Sequence, residues 1–286
     1  MKTRLRRLTL AALLCGLLPL CGPPPAARAA RAYDDAAVSP LVVGETFTVE
    51  SKVLGETRRI NVYLPPGYAE SPSARLPVLY MPDGGMAEDF LHVAGLVQVS
   101  VGNGTMRPHL LVGIENTERR RDMTGPTESA EDKKIAPRVG GSEAFRRFLR
   151  EELMPRVKSR YRTTGETAVV GESLAGLFVV ETFLLEPELF DTYIAFDPSL
   201  WWNNQRLLED AAGRLRARPG LKKTLYVAGS RDMAGLGEKF AAVLGKGAPA
   251  GLRWHYERMP DEKHSTIYHP AALKAFRAVL APPAGK

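Results

Sequence analysis

The apolar run Ala168-Val169-Val170 leads into Gly171-Glu172-Ser173-Leu174-Ala175-Gly176, and a helix is expected to begin near Leu174. Small residues on both sides of a serine are what a sharp strand-to-helix turn needs. They let the chain reverse while the hydroxyl stands above the sheet and points at the helix N-terminus. Alanine stands two residues past the serine, where the common pattern has glycine, so the match is G-x-S-x-A; Ala175 is still small enough to pack. A serine here can also simply cap the following helix. The strand before it and the glycines around it favour Ser173 as a nucleophile.

Outward from this turn, apolar runs alternate with helical stretches, the order of a mostly parallel sheet with helices on both faces. Upstream, Thr46 to Val53 and Arg59 to Leu64 read as an antiparallel opening pair turned at Gly55-Glu56. Leu76 to Met81 and His109 to Ile114 read as the next strands. Glu115 to Gly141 is too long and too charged for a simple connector, and such segments carry lids or substrate contacts. Ser142 is expected to cap a helix with Phe145, Phe148, Leu149 and Leu153 at helical spacing, kinked or divided at Pro155. Downstream come strands at Thr167 to Val170, Thr192 to Phe196, Lys223 to Ala228 and Leu252 to Arg258, then an amphipathic helix from Tyr268 to Leu280. Polar or glycine-rich residues follow each strand, on the edge where open α/β sheets place their sites.

The net charge of +7 is concentrated at the N-terminus. Lys2, Arg4, Arg6 and Arg7 precede the apolar stretch Leu8 to Leu20, and Ala27-Arg28-Ala29 and Ala30-Arg31-Ala32 offer small-residue cleavage sites. Residues 1–32 read as a signal peptide, with a single domain over residues 33–286. Gly16 and Pro19 interrupt the stretch, which is too short to span a bilayer, so no stable membrane insertion is expected after cleavage. The segment holds six of the 39 Lys/Arg and none of the 32 Asp/Glu, leaving 33 bases against 32 acids. That balance removes the electrostatic argument for nucleic-acid binding. Cys15 and Cys21 also lie there, so the mature chain is expected to be stabilised by an ordinary core and not by disulfides.

Val169 to Asn204 carries Gly171-Glu172-Ser173-Leu174-Ala175-Gly176-Leu177-Phe178 and then Phe190-Asp191-Thr192-Tyr193-Ile194-Ala195-Phe196-Asp197-Pro198-Ser199-Leu200-Trp201-Trp202-Asn203. This stretch resembles an esterase family of the α/β-hydrolase fold that includes enterobactin-type siderophore esterases and esterase D type enzymes. Feruloyl esterases and mycolyl transferases are more distant members. Asn116 to Thr124 resembles another family segment, and the similarity runs from about Phe47 to the C-terminus. The departures are Glu172 where histidine is common, Ala175 for glycine, and Asp197 where the Ser-Pro-Ser-Leu-Trp-Trp run starts with serine.

The resemblance implies an α/β-hydrolase fold and hydrolysis of a carboxylic ester through an acyl-Ser173 intermediate, with no metal or organic cofactor. The substrate would be a small-molecule ester such as a siderophore lactone, met in the periplasm or outside the cell. Feruloyl or acetyl sugar esters, or transfer of the acyl group to another acceptor, are the alternatives. A non-catalytic binding protein would have lost the serine, the base or the oxyanion turn, and all three are present. The oligomeric state is not legible.

Chain order in this fold puts the histidine last. Of His92, His109, His255, His264 and His269, that selects His264, on the loop after the final strand, with His269 as its rival and His255 inside a strand. The carboxylate that orients the base is expected after the Lys223 to Ala228 strand, at Asp232, with Asp197 the rival and a serine-histidine dyad the third option. Leu174 N–H and Gly85 N–H, the latter in the turn Asp83-Gly84-Gly85, are the candidate oxyanion donors. Only one of the adjacent Trp201 and Trp202 could face a substrate cleft in extended backbone. Arg119, Arg120, Arg121 and Asp122 could bind an anionic or catecholate ligand or form a solvated loop; Arg121 and Asp122 are carried forward as substrate-binding candidates.

Overall fold

The computed structural model describes residues 39–283, and the expected signal peptide with its two cysteines lies outside them. The sheet with its covering helices belongs to one compact unit that begins at Val43.

Eight strands form one sheet: β1 (Glu45–Ser51), β2 (Glu56–Tyr63), β3 (Leu76–Pro82), β4 (Leu110–Ile114), β5 (Thr163–Glu172), β6 (Thr192–Phe196), β7 (Thr224–Ser230) and β8 (Arg253–Met259). Their spatial order is β1-β2-β4-β3-β5-β6-β7-β8. β1 runs antiparallel to β2 and β2 antiparallel to β4, and every later pairing is parallel. The opening hairpin turns at Gly55, whose φ of 69° a residue with a Cβ rarely adopts. β4, β6 and β7 are buried along their whole length, which explains why Leu110-Leu111-Val112-Gly113-Ile114 and Thr192-Tyr193-Ile194-Ala195-Phe196 read as continuous apolar runs. Strands covered on both faces show no alternation.

The two covers are separate cores. On one face Ile60, Val62, Val112, Val169, Tyr193 and Val227 pack under α3 (Ser142–Phe148), α4 (Met154–Arg160), α5 (Leu174–Leu185), α6 (Trp202–Arg216) and α7 (Ala234–Gly247). On the other, Leu79, Leu111, Val170, Ile194, Phe196 and Ala228 meet α1 (Phe90–Gly102) and α8 (Tyr268–Val279). Adjacent residues Val169 and Val170 thus serve opposite cores, as strand geometry requires.

Local structure departs from the sequence reading at two places. Helix α1 was not expected: β-branched Val93, Val97, Val99 and Val101 crowd it, and Leu91 and Val99 are exposed, so no clean polar face marks it. Ser142 does not cap α3. It is the first helical residue, buried, and its hydroxyl donates to Glu181 Oε1 at 2.5 Å, while Gly141 takes the cap position. The helical run from Ser142 to Arg160 is divided at Pro155, as expected: a π-type turn, Leu149–Leu153, separates α3 from α4, and Pro155 sits in the first turn of α4, where a missing N–H costs nothing.

From β3 the chain passes to β4 on one side and returns to β5 on the other. Such a reversal opens a crevice beyond the strand C-termini. The long segment 115–141 lies there, containing α2 (Arg119–Asp122), and it is tied to the residues after β6 by Trp202 Nε1–H to Gly125 O at 2.9 Å and Asn203 N–H to Asp132 Oδ2 at 2.7 Å.

Candidate active site

Three non-glycine residues with positive φ stand directly beyond adjacent strands: Asp83 (58°) after β3, Ser173 (60°) after β5 and Asp197 (40°) after β6. Strain of this kind persists only where surrounding contacts enforce it, and it gathers at functional sites. Ser173 has φ 60° and ψ −118°, and its side chain makes no cap bond to α5, which disposes of the capping reading. The turn is held by close packing. A Cβ on Gly171 would lie 2.7 Å from the Ala175 carbonyl carbon, and one on Gly176 would lie 2.9 Å from Phe196 O. Ser173 N–H donates to Phe196 O and Ser199 N–H to Ser173 O, both at 3.0 Å, pinning the turn to the end of β6.

Ser173 Oγ lies 3.0 Å from His264 Nε2, and the Ser199 hydroxyl is 3.5 Å from Ser173 Oγ. His264 stands on the loop between β8 and α8, and its Nδ1 lies 3.0 Å from Asp197 Oδ2. Asp197 is fully buried. Ser230 N–H donates to its Oδ1 and the Ser230 hydroxyl to its Oδ2, both at 2.6 Å. That carboxylate is therefore fixed before the ring arrives.

Asp232 does not face the ring. Its Oδ2 accepts the backbone N–H of His264 at 2.9 Å, and its side chain is 47% exposed. The expectation placed the orienting carboxylate after β7; the carboxylate hydrogen-bonded to Nδ1 is Asp197, after β6. The reason is positional: Asp197 follows its strand immediately and lies beneath the imidazole, whereas Asp232 is two residues beyond β7 and meets the loop backbone. A second carboxylate also reaches Nδ1, with Glu172 Oε1 at 3.3 Å. Burial raises Glu172 to about 7. The His264 imidazole is raised above its ordinary value, first by the Asp197 hydrogen bond and, against the opposing effect of burial, by the charges of Glu172, Asp197 and Asp232.

Of the two expected oxyanion donors, Leu174 N–H opens α5 and has no carbonyl one turn back to accept it. Gly85 N–H is engaged: it donates to Glu88 Oε2 at 2.7 Å, and Asn116 Nδ2 donates to Glu88 Oε1 at 2.9 Å. A substrate oxygen at Gly85 has to displace the Glu88 carboxylate. The turn itself is fixed by contact, since a Cβ on Gly84 would sit 2.2 Å from Gly113 Cα. Arg119 holds Asp83 with two bonds of 2.7 and 2.8 Å.

The expected substrate contacts Arg121 and Asp122 are corrected. Asp122 is wholly buried, 2.6 Å from the equally buried Arg58, and Arg121 binds Asp122 Oδ1 at 2.7 Å and Glu56 through both terminal nitrogens. These groups tie the 115–141 segment to β2. Trp202 is 4% exposed and in the core, while Trp201 is 38% exposed. A cleft of about 630 Å³ opens beside α2, lined by Glu118, Arg119, Arg120, Arg121, Ala136, Pro137 and Arg138. His255 pairs with Glu257 and stacks on Tyr226, and His269 neighbours His92; neither reaches Ser173.

A hydroxyl, an imidazole and a buried carboxylate in sequence beyond a parallel sheet define a protein of the α/β-hydrolase fold with a serine-hydrolase constellation. Residues 51–245 match the family described as "Putative esterase", and the chain belongs to it. It is 32% identical over 171 residues to the ferri-bacillibactin esterase BesA of Bacillus subtilis, covering 54% of this chain and 58% of the relative. It is 29% identical over 190 residues to the siderophore triacetylfusarinine C esterase of Aspergillus fumigatus, covering 60% and 61%. The chain thus spans less than two thirds of the length of these curated relatives. Among solved structures, an IroE-like serine hydrolase from Shewanella oneidensis superposes with a TM-score of 0.74 at 30% identity, over 83% of this chain and 80% of that one.

Proposed function

We propose that this chain is an exported serine esterase that opens carboxylic ester bonds of an iron-chelating siderophore. The observation that carries the reading is the Ser173 Oγ to His264 Nε2 contact of 3.0 Å, backed by Asp197 at 3.0 Å. In this reading Ser173 Oγ bonds to the ester carbon as its proton passes to Nε2, and the carbonyl electron pair moves onto oxygen, facing Leu174 N–H. The tetrahedral centre then expels the alcohol, which takes the proton from Nε2. Water, deprotonated by the same nitrogen, then bonds to the acyl carbon, and as the bond to Ser173 Oγ breaks the acid leaves and Nε2 returns the proton to Oγ. Asp197 holds the ring with Nε2 toward the serine and stabilises the imidazolium.

The siderophore substrate is supported by the named activities of the relatives and by the exposed Arg120 in the cleft beside α2, a positive charge open to an anionic catecholate. Export is supported by the signal-like residues 1–32. Among the described residues no helix is long and apolar enough to cross a membrane. The test is a hydrolysis panel of ferric and metal-free siderophore lactones, feruloyl and acetyl sugars, and p-nitrophenyl acetate, with fluorophosphonate labelling of Ser173. Preference for the siderophore esters is expected. Faster turnover of a sugar ester would replace the substrate assignment, and no hydrolysis or labelling would remove the reaction.

A further inference from the structure

We propose that Glu172 is a second carboxylate for the His264 ring, a positioning residue whose charge stands beside the Asp197 hydrogen bond to Nδ1 and helps hold the imidazolium formed when Ser173 gives up its proton. The proposal rests on the reading of His264 as the base for Ser173.

Nδ1 lies between two acids contributed by adjacent strands, Asp197 Oδ2 at 3.0 Å from the end of β6 and Glu172 Oε1 at 3.3 Å from the end of β5. Their surroundings differ. The Asp197 carboxylate has Ser230 donating to both oxygens. The Glu172 side chain is 16% exposed, and the cation its carboxylate meets is the His264 ring. A buried carboxylate without donors is unfavourable unless it is neutral or paired. Glu172 can be either. Burial places its titration at about 7, so it can hold a proton while the ring is neutral and present a charge when the ring becomes cationic. Its position beside the nucleophile in sequence means that the strained turn that aims Ser173 also aims Glu172.

The other charges facing the ring are Asp232, from the loop after β7, and, around Glu172, Arg119 and Asp83. Arg119 is hydrogen-bonded to Asp83 and also lowers Glu172, but of the two cations acting on that carboxylate His264 has the larger effect. A negative charge there favours imidazolium, so its removal must lower the pH at which His264 becomes a base.

The decisive variant is Glu172→Gln, which keeps the shape and removes the charge. Fluorophosphonate labelling of Ser173 and kcat/KM for p-nitrophenyl acetate are followed from pH 5 to 9. The acid-limb midpoint is expected to fall by about half to one pH unit with KM little changed. Glu172→Gln is expected to slow the wild-type protein about two- to threefold, and the Asp197→Asn protein about tenfold, because the remaining acid then stands alone. Glu172→Asp, which retracts the carboxylate by one methylene, should move the limb down by less and supplies the test if the glutamine variant does not fold. An unmoved acid limb in a folded variant overturns the proposal, as does a uniform loss at every pH that simply adds to that of Asp197→Asn. Wild-type protein that does not label at Ser173, or labels without an acid limb, would instead remove the reading beneath it.

Discussion

The cluster at the ends of β5 and β6 and the cluster beneath α2 are both dense in charge, and they are built in opposite senses. Under α2, Arg58, Arg121, Asp122 and Glu56 close on one another: Asp122 has one oxygen on Arg58 and the other on Arg121, whose two terminal nitrogens bind Glu56. Beyond the strands, the bonds run in one direction, Ser230 to Asp197, Asp197 to His264, His264 to Ser173. The last member is a hydroxyl beside an N–H with no intrahelical acceptor. Charge closed on itself holds a fold together, whereas charge aligned on one unfilled position is available for chemistry.

The most severe break in this comparison is Ser173→Ala. Loss of the terminal hydroxyl is expected to lower kcat by about 10⁶, the scale seen when a serine protease loses its nucleophile, while circular dichroism and thermal unfolding stay as in the wild type. Undiminished ester hydrolysis by that variant would mean that the aligned chain of bonds is not the reacting site.

Next in size is the choice of acid. Asp197→Asn should lower kcat by up to about 10⁴, and Asp232→Asn, which loosens only a loop backbone contact, by no more than about tenfold. The reverse ranking would restore the sequence expectation. The same pairing sets the pH dependence. Because Asp197 raises the imidazole, the wild-type rate should climb through an acid limb above the free value of about 6.5. Asp197→Asn should move that limb downward. A wild-type midpoint well below 6.5 would show that the ring does not feel its carboxylate.

Why the sequence led to Asp232 is physical. Strands β3 to β7 were legible because each holds a short apolar run closed by glycine or polar residues, β8 because aromatic and polar residues alternate at Trp254, His255 and Tyr256, and the meeting of Ser173 with His264 was legible because chain order puts both beyond strand ends. The acid is chosen by which of two strand-end aspartates lies under an imidazole contributed 67 residues after Asp197, a tertiary fact. Its one local trace was that Asp197 departs from the serine usual at the start of its motif. Glu172 left the same trace, and both departures converge on Nδ1. Arg121 and Asp122 misled for the complementary reason: a run of charge in a loop looks solvated when its partners, Arg58 and Glu56, are more than 60 residues away. Helix α1 was missed because it is apolar on nearly every side.

The closed cluster should fail differently from the aligned one. Asp122→Ala takes from the buried Arg58 and from Arg121 the carboxylate they share and leaves Arg58 only the partly exposed Glu56, which is expected to cost about 3 to 5 kcal/mol of stability. For a domain of this size that lowers the unfolding temperature by roughly 6 to 20 °C. At low temperature the folded variant should still label at Ser173 at near wild-type rate. Lost labelling with an unchanged unfolding temperature would place Asp122 in the reaction after all.

The smallest expected effect belongs to Arg120, the part of the arginine run that the closed cluster leaves over. Arg119 is committed to Asp83, Arg121 to Glu56 and Asp122, and Arg138 pairs with Glu118; among the described residues no acid lies within ion-pair distance of the exposed Arg120. It lines the cleft beside α2. A single exposed charge meeting an anionic ligand contributes about 1 kcal/mol, so Arg120→Ala should raise KM for a ferric tricatecholate ester about fivefold. kcat should be unchanged, because an interaction made equally in ground and transition states does not accelerate the chemical step. The penalty should shrink as salt is raised toward 1 M, where the screening length falls to about 3 Å, and p-nitrophenyl acetate, which carries no charge for the cleft to hold, should be hydrolysed as before. A KM increase of equal size for both esters, or one indifferent to salt, would mean that Arg120 acts on the fold of the 115–141 segment and that the anion is held elsewhere.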